Sequence, residues 1–134
     1  MPLKLEIVTP EAKIYSETVD MVTLPGVEGE MGIFPNHVPL MTQVAAGEVA
    51  VRKGSQVQHL AVGDGFVEIT GDRVAILTDM AIKSDDIDEV KAEEARKRAE
   101  SRLQEKLTAE ETASVTAALA HSLAQLKVKR RNRS

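Results

Sequence analysis

Three histidines, His37, His59 and His121, are the side chains of this sequence best suited to proton transfer or metal binding. They lie 22 and 62 residues apart, so none has the i, i+4 spacing that places two imidazoles on one helix face. The sequence holds no cysteine, which excludes disulfides, thiolate metal ligands and a cysteine nucleophile. It also lacks the Gly-x-Ser-x-Gly pattern of a serine nucleophile. These observations predict neither a catalytic centre nor a metal site, and they favour a non-enzymatic role.

A second chemical feature is the positive charge at the C-terminus. Residues 127–134 contain no acidic side chain and five basic ones, Lys127, Lys129, Arg130, Arg131 and Arg133. Because the formal net charge is −4, the rest of the chain carries close to −9. Such a tail suits an acidic protein surface, nucleic acid or anionic lipid, or it is a solvated end that complements a helix dipole. The acidic body and an aromatic content of only 2% make nucleic acid the least favoured of these partners.

A third feature is the segment 24–40, which is rich in glycine and proline. Glycine recurs every third residue at Gly26, Gly29 and Gly32, where it permits positive φ or close backbone approach. Pro35 and Pro39 then stiffen the chain. The segment predicts a structured loop. It is not a phosphate-binding loop, because no Gly-Lys-Ser/Thr follows and no helix begins there.

The elements that must position these groups divide at the last glycine. All five prolines and all eight glycines lie at or before Gly71. The first 80 residues alternate apolar and polar side chains in short runs separated by turn residues, which predicts the strands of an antiparallel sandwich or barrel with an aliphatic core. The remainder predicts two helices. Capping boxes are expected at Asp86 with Glu89 and at Thr108 with Glu111.

The two predicted helices carry narrow apolar stripes that favour an antiparallel hairpin. Their members are Ala92, Ala95, Ala99 and Leu103 on the first helix, and Val115, Leu119, Leu123 and Leu126 on the second. The joint, residues 105–108, contains no glycine or proline, so one continuous helix of about 65 Å is the alternative. Two packings of similar energy could act as a switch, and the residues alone leave switch and static hairpin equally open.

The run Gly26-x-x-Gly29-x-x-Gly32, followed by Pro35-Asn-His-x-Pro-Leu40, resembles the signature loop of the epsilon subunit of F-type ATP synthases. The opening at residues 5–10, Leu-x-Ile-Val-Thr-Pro, and the strand-rich part with a two-helix end resemble the same family over essentially the whole chain. Mitochondrial delta subunits share the sandwich. The absence of a transit peptide favours a bacterial chain, with a plastid one as the alternative.

The resemblance implies an α+β fold, with a flattened antiparallel β-sandwich of about ten strands over residues 1–84 and an α-helical hairpin over residues 85–134. It implies a non-catalytic rotor subunit of a proton-translocating enzyme, peripheral to the cytoplasmic face of the plasma membrane or, less favoured, the plastid thylakoid. The sandwich is expected to bind the gamma subunit and the polar loops of the c-ring. The helices are expected to reach the catalytic beta subunits and to inhibit ATP hydrolysis. The alternatives are a coupling-only subunit with a static hairpin and, more remotely, a β-sandwich scaffold with a basic tail.

The resemblance also assigns residues. The loop residues expected to face the c-ring are Glu28, Glu30, Met31 and His37, of which Glu30 matches the family's acidic contact and His37 the histidine near it. The simpler interpretations are an exposed loop acid and a histidine that hydrogen-bonds the loop to itself. The tail residues expected to approach an acidic segment of the beta subunits are Lys127, Lys129, Arg130 and Arg131.

A nucleotide site is the weakest implication of the resemblance. Some bacterial relatives bind ATP through an Ile/Leu-Asp-x-x-Arg-Ala motif, and here lysine, which lacks the planar fork of arginine, takes the arginine position. A glutamate that some relatives place about five residues earlier is also missing. The candidate ligands are Ile87, Asp88, Lys91, Ala92 and, on the same face two turns later, Arg98. The favoured alternative is a capped helix start that binds no nucleotide. ATP as a regulatory ligand is the less favoured interpretation, and neither another cofactor nor a metal is expected.

Overall fold

The protein consists of a strand-rich part followed by two helices. The computed structural model describes residues 3–131. Within them the strands are β1 (Leu3–Val8), β2 (Lys13–Val19), β3 (Met21–Gly26), β4 (Gly29–Ile33), β5 (Leu40–Val44), β6 (Gly47–Lys53), β7 (Gln56–Val62), β8 (Gly65–Ile69), β9 (Arg73–Thr78) and β10 (Ala81–Lys83). A 3₁₀ turn (Ser84–Asp86) leads to α1 (Glu89–Arg102) and α2 (Ala109–Arg131). This arrangement confirms the predicted fold class.

The strands form one sheet in the order β10-β7-β6-β3-β5-β8-β9-β1-β2, with β4 paired to β3. The pairs are antiparallel except for β1 and β9, which run parallel from Lys4 opposite Arg73 to Val8 opposite Leu77. The sheet curls so that its two end strands approach each other, with the Lys83 ammonium of β10 lying 5.9 Å from the centroid of the Tyr15 ring of β2. Near the same edge, the Lys53 ammonium of β6 lies 2.7 Å from the Glu17 carboxylate of β2. The result is a two-layered, nearly closed sandwich.

The core between the layers is aliphatic, as the composition predicts. Strands β1 to β9 each contribute inward-facing residues, and Leu3, Leu5 and Ile7 of β1 are fully buried. Burying one such side chain stabilises the fold by about 1.5–3 kcal/mol relative to exposure. Tyr15 is the one aromatic side chain in this cluster of the described residues, and burial, together with the neighbouring Glu17 carboxylate, raises its pKa to about 12.

A second cluster joins the helices to the sandwich. It consists of Ala61 on β7, Ile87, and Ala124 and Val128 on α2, with Met80 and Ile82 packed against it. Along β7, Leu60 and Val62 face the sandwich core while Ala61 faces α2, so this strand is buried on both sides. Within residues 3–131, the extensive contacts between the helices and the sandwich involve β6 and β7 and not the opposite layer.

The predicted apolar stripe of the second helix is partly wrong. Val115 and Leu126 are buried, but Leu123 is 48% exposed, and the buried set also includes Ser122, Ala124 and Val128. The physical reason is that α2 packs against α1 on one side and against β6 and β7 on another. Its buried surface is therefore wider than the single seam of an isolated hairpin, and small residues are needed where it contacts the sheet. On α1, Ala92 and Ala99 are buried as predicted, whereas Leu103 is exposed.

The predicted start of the first helix is also wrong. Asp86 belongs to the 3₁₀ turn, and the N-cap is Asp88, whose carboxylate accepts the backbone N–H of Lys91 at 3.1 Å. Ile87 has an extended backbone and is buried in the second cluster. The helix therefore begins after this residue, at Glu89.

The second capping box is confirmed. The Glu111 N–H donates to the Thr108 hydroxyl at 3.1 Å, and the Thr108 N–H donates to the Glu111 carboxylate at 3.2 Å. The chain turns at residues 103–108, so the two helices form an antiparallel hairpin rather than one continuous helix. None of the helices within residues 3–131 combines the length and hydrophobicity that crossing a bilayer requires.

We expect Thr108→Ala to destabilise the hairpin by about 1 kcal/mol, because an otherwise orphaned helix N–H loses its cap. Amide hydrogen exchange in the first turns of α2 should accelerate, while the strands of the sandwich keep their protection. Thr116→Ala, an exposed position inside the same helix, is the matched control. Equal exchange rates in the two variants would contradict a structural role for the box.

Candidate interaction surfaces

The glycine-rich segment forms a β-hairpin at one end of the sandwich. Residues 24–33, which the sequence places in a loop, belong largely to β3 and β4, with Gly26 opposite Gly29 and Pro25 opposite Glu30. Gly29 has a φ of +131°, which favours glycine, and a Cβ on Gly26 would lie 2.7 Å from the Gly29 carbonyl oxygen. The regular glycine spacing therefore reflects a tight strand connection.

The hairpin separates the predicted loop residues into different environments. Glu28 and Glu30 are exposed at its tip, and within residues 3–131 neither carboxylate forms an ion pair. Met31 is half-buried and packs against the core. His37 lies beyond β4, where its Nδ1 is 2.6 Å from the Val38 carbonyl oxygen. That contact is the one expected of a histidine that orders its own loop.

The layer opposite to the one that α2 contacts carries an exposed apolar surface that sequence reasoning missed. Phe66 on β8 and Leu77 on β9 are paired in register, and each is 54% exposed. Val8 of β1 pairs with Leu77 on its other side. We call Val8, Phe66 and Leu77 the outer apolar patch. A signal for it exists in the sequence, because Phe66 and Leu77 occupy the outward phase of strands whose buried residues, Val67, Ile69, Val74 and Ile76, are also apolar.

The basic end of α2 is folded back onto the chain. Arg130 donates from Nε to Glu89 at 3.0 Å and from Nη2 to Glu93 at 2.9 Å. Arg131 donates from Nε to Glu48 at 2.8 Å. Lys129 donates to the Ser84 carbonyl oxygen at 3.3 Å. Lys127 is exposed and, within the described residues, pairs with no carboxylate, while Arg133 lies outside those residues.

Arginine contacts favour the ionised form of Glu93. The Arg96 guanidinium, which hydrogen-bonds Glu93 one turn away, holds the pKa of that carboxyl below its ordinary value, and Arg130 adds to the effect. The contact with Glu89 raises the pKa of Arg130 in turn, with Glu93 contributing. Both ends of this interaction are therefore charged at neutral pH.

Two histidine–carboxylate pairs lie where α2 contacts the sandwich. His121 Nε2 of α2 is 3.1 Å from Asp79 Oδ1 in the turn between β9 and β10. His59 Nδ1 of β7 is 3.1 Å from the Oε2 atom of Glu48 that also accepts from Arg131. The three histidines thus have separate partners, Val38 for His37, Glu48 for His59 and Asp79 for His121. Within residues 3–131, no three His, Asp or Glu side chains cluster closely enough to hold a metal ion.

The predicted nucleotide-binding residues do not converge on one site. Ile87 and Ala92 are buried in contacts with the fold, and Asp88 is occupied as the helix cap. Lys91 and Arg98 are exposed, and neither forms an ion pair within the described part of the chain. A shallow cavity on α1 is lined by three carboxylates, those of Glu89, Glu93 and Glu94, and by two cations, Lys97 and Arg130, so its lining offers no net positive charge to a phosphate. The arrangement of these residues favours a capped helix start over a nucleotide-binding site.

Two solved structures share the fold. A chain in the mitochondrial ATP synthase of Euglena gracilis superposes with a TM-score of 0.77, covering 94% of this chain and 79% of its own, at 24% identity. A chain in the central stalk and c-ring structure of the Tetrahymena thermophila mitochondrial ATP synthase superposes with a TM-score of 0.66, covering 96% and 97%, at 12% identity. The molecule therefore has the architecture of a β-sandwich-plus-helices chain found in ATP synthases.

The sequence comparisons are more specific. Residues 2–84 match the beta-sandwich domain of the ATP synthase delta/epsilon chain, and residues 85–130 match its long alpha-helix domain. The ATP synthase epsilon chain of Dehalococcoides mccartyi is 50% identical over 99 residues, covering 74% of this chain and 71% of the relative. That of Syntrophobacter fumaroxidans is 42% identical over 126 residues, covering 94% of each. The chain belongs to the ATP synthase delta/epsilon family, which confirms the resemblance drawn from the glycine–proline segment.

Gly63 controls how closely α2 approaches the sandwich. A Cβ at this position would overlap the Asp79 carboxylate and lie 2.7 Å from His121 Nε2. We expect Gly63→Ala to separate the His121–Asp79 pair and to weaken the docking of α2 by about 1 kcal/mol. Hydrogen exchange should then rise in the second half of α2 but not in β1 or β2.

Gly71→Ala is the matched control, because nothing lies within 4 Å of a Cβ at Gly71. If Gly63→Ala left the exchange of α2 at the rate of this control, the close approach at Gly63 would not contribute to docking.

Proposed function

We propose that this chain is the non-catalytic epsilon subunit of a proton-translocating F-type ATP synthase, rotating with the central stalk and coupling it to the c-ring. The observation that carries the proposal is the 50% identity to a bacterial ATP synthase epsilon chain. The bacterial relatives support a peripheral position on the cytoplasmic face of the plasma membrane, held there through the other subunits. The geometry supports separate surfaces for separate partners.

The outer apolar patch is the proposed contact for the gamma subunit. Permanent subunit interfaces have apolar centres, whereas polar surfaces suit contacts that are wet and adjustable. In the described part of the chain, the patch lies on the layer against which neither helix packs extensively, so a partner can approach it without moving the hairpin. We therefore assign the outer apolar patch to the gamma subunit, the partner with which the subunit would rotate permanently.

The tip of the β3–β4 hairpin is the proposed contact for the polar loops of the c-ring. Glu28 and Glu30 are exposed there and free of ion pairs within residues 3–131, so they can accept hydrogen bonds from a partner. In this proposal Met31 anchors the tip to the core, and His37 orders the following loop through its contact with Val38. The stiff strand connection presents both carboxylates at the end of the sandwich.

The hairpin is proposed to restrain ATP hydrolysis through the basic end of α2. Lys127, Lys129, Arg130 and Arg131 supply a dense positive charge that an acidic segment of the beta subunits would attract. We propose that residues 87–92 serve as the start of a helix and not as an ATP site, because the Asp88 carboxylate is already engaged as the helix cap and the neighbouring cavity carries no net positive charge.

We expect Leu77→Ser to weaken binding to the isolated gamma subunit about tenfold, since apolar side chains at the centre of an interface dominate its affinity. Titration calorimetry measures the effect. Val57→Ser is the control, because Val57 is 51% exposed on a strand of the other layer. Equal affinities of the two variants would move the gamma contact away from the patch.

Reconstitution of an epsilon-depleted bacterial ATP synthase tests the role of the helices. We expect the full chain and a version ending at Asp85 to bind alike, and only the full chain to slow ATP hydrolysis. Equal hydrolysis rates with both would leave a coupling-only subunit with a static hairpin. Failure of both to bind would contradict the rotor assignment itself.

A further inference from the structure

Two carboxylates face outward from the layer that carries the outer apolar patch. The strand register places Met41 of β5, Glu68 of β8, Ala75 of β9 and Glu6 of β1 side by side in one row across this layer. Because directly opposite residues share a face of the sheet, both carboxylates lie on the same surface as the patch. Their surroundings on that surface are nonetheless different.

Glu6 is neutralised by cations of its own chain. Its Oε2 atom lies 3.3 Å from the Lys13 ammonium, its Oε1 atom lies 3.0 Å from Arg73 Nη2, and its side chain is only 15% exposed. The Lys13 contact, together with Arg73, holds the pKa of Glu6 below its ordinary value. A partner that covered Glu6 would therefore not need to supply a charge for it.

Glu68 is not neutralised in this way. Its side chain is exposed, and within residues 3–131 it forms neither an ion pair nor a hydrogen bond. The neighbours on its face are apolar on three sides. They are Met41 and Ala75 on the flanking strands and Phe66 two residues earlier on β8. Glu68 is thus an uncompensated carboxylate at the edge of the outer apolar patch.

A partner that binds the patch must also cover Glu68. Leu77 lies diagonally across from Glu68, because Ala75 is its direct opposite, and such diagonal neighbours are about 7–8 Å apart. A specific protein interface buries about 800 Å² on each side, which corresponds to a disc of about 16 Å radius. A contact centred on Phe66 and Leu77 therefore removes Glu68 from water. A carboxylate buried without a counter-charge opposes binding strongly.

We propose that Glu68 is a specificity-determining residue of the gamma contact and pairs there with a basic side chain of the gamma subunit. This role rests on the gamma contact proposed above and names the chemistry that the partner surface must present. Arginine suits the position best, because its planar guanidinium binds a carboxylate through two hydrogen bonds and is more weakly hydrated than an ammonium group. An apolar surface without a cation opposite Glu68 is rejected, since it would leave the carboxylate buried and unpaired.

The test measures the association and dissociation rates of the full chain with the isolated gamma subunit. We expect Glu68→Gln to dissociate at least about 30-fold faster, with an association rate within about twofold of wild type, because breaking a buried charge pair acts on dissociation whereas a charge at the rim acts on association. Glu68→Asp retains the charge and should lose much less. The control is Glu94→Gln, which removes the same charge from an exposed position on α1. The thermal unfolding midpoints of the free variants should match wild type, since the Glu68 side chain has no polar partner in the described chain.

The Leu77→Ser and Val57→Ser variants, measured alongside, separate the two proposals. If Leu77→Ser weakens binding and Glu68→Gln dissociates like the control, the patch remains the gamma contact and the role of Glu68 is overturned. The role is equally overturned if Glu68→Gln changes only the association rate, because the carboxylate would then lie at the rim. If neither Leu77→Ser nor Glu68→Gln differs from its control, the gamma contact itself lies elsewhere, and the role of Glu68 fails with it.

Discussion

The burial of β7 on both of its faces is the constraint on which the rest of this structure depends. Leu60 and Val62 hold the strand to the sandwich core, and Ala61 holds α2 to the outside of the same strand. Only a small residue at that outward position allows α2 to lie close to the strand. Gly63, which directly follows β7, is under the same steric constraint, because a Cβ there would overlap the Asp79 carboxylate. The position of α2 then fixes where α1 lies and which acidic groups its basic end can contact. The sandwich thus acts as the template for the hairpin.

The sequence is informative where one local rule decides the outcome. Turn residues locate the strand breaks because glycine is needed for tight connections, and the capping box at Thr108 is local to four residues. It fails where tertiary packing overrules a local preference. Asp86 has the correct spacing for a cap, but burial of Ile87 moves the helix start to Asp88. Leu123 fits a helical stripe, yet the sheet selects Ala124 and Val128 instead.

The candidate interaction surfaces also differ in whether local sequence or tertiary packing determines them. The residues of the β3–β4 hairpin could be identified because their spacing is a family signature. The two strands were not predicted, because the frequent glycines indicated a loop. The outer apolar patch depends on the register of β1, β8 and β9, which is a long-range property that no single segment of sequence reports. The partners of the tail are more distant still, since Glu48 and Arg131 are 83 residues apart along the chain. Pattern reasoning finds the charged tail but not the surface on which it lies.

The parallel pairing of β1 with β9 has a consequence for how the molecule is made. β1 lies between β2 and β9, so the first strand of the chain completes its pairing only with a strand that ends at Thr78. On a ribosome, β1 and β2 can associate early, but the sandwich cannot close until β9 has emerged from the exit tunnel. Such a long loop closure makes folding slower than for a protein built of local contacts. The aliphatic strands of the nascent chain must therefore avoid aggregation until more than half of the chain has been synthesised. The helices are synthesised last, so they pack onto strands that precede them in the chain.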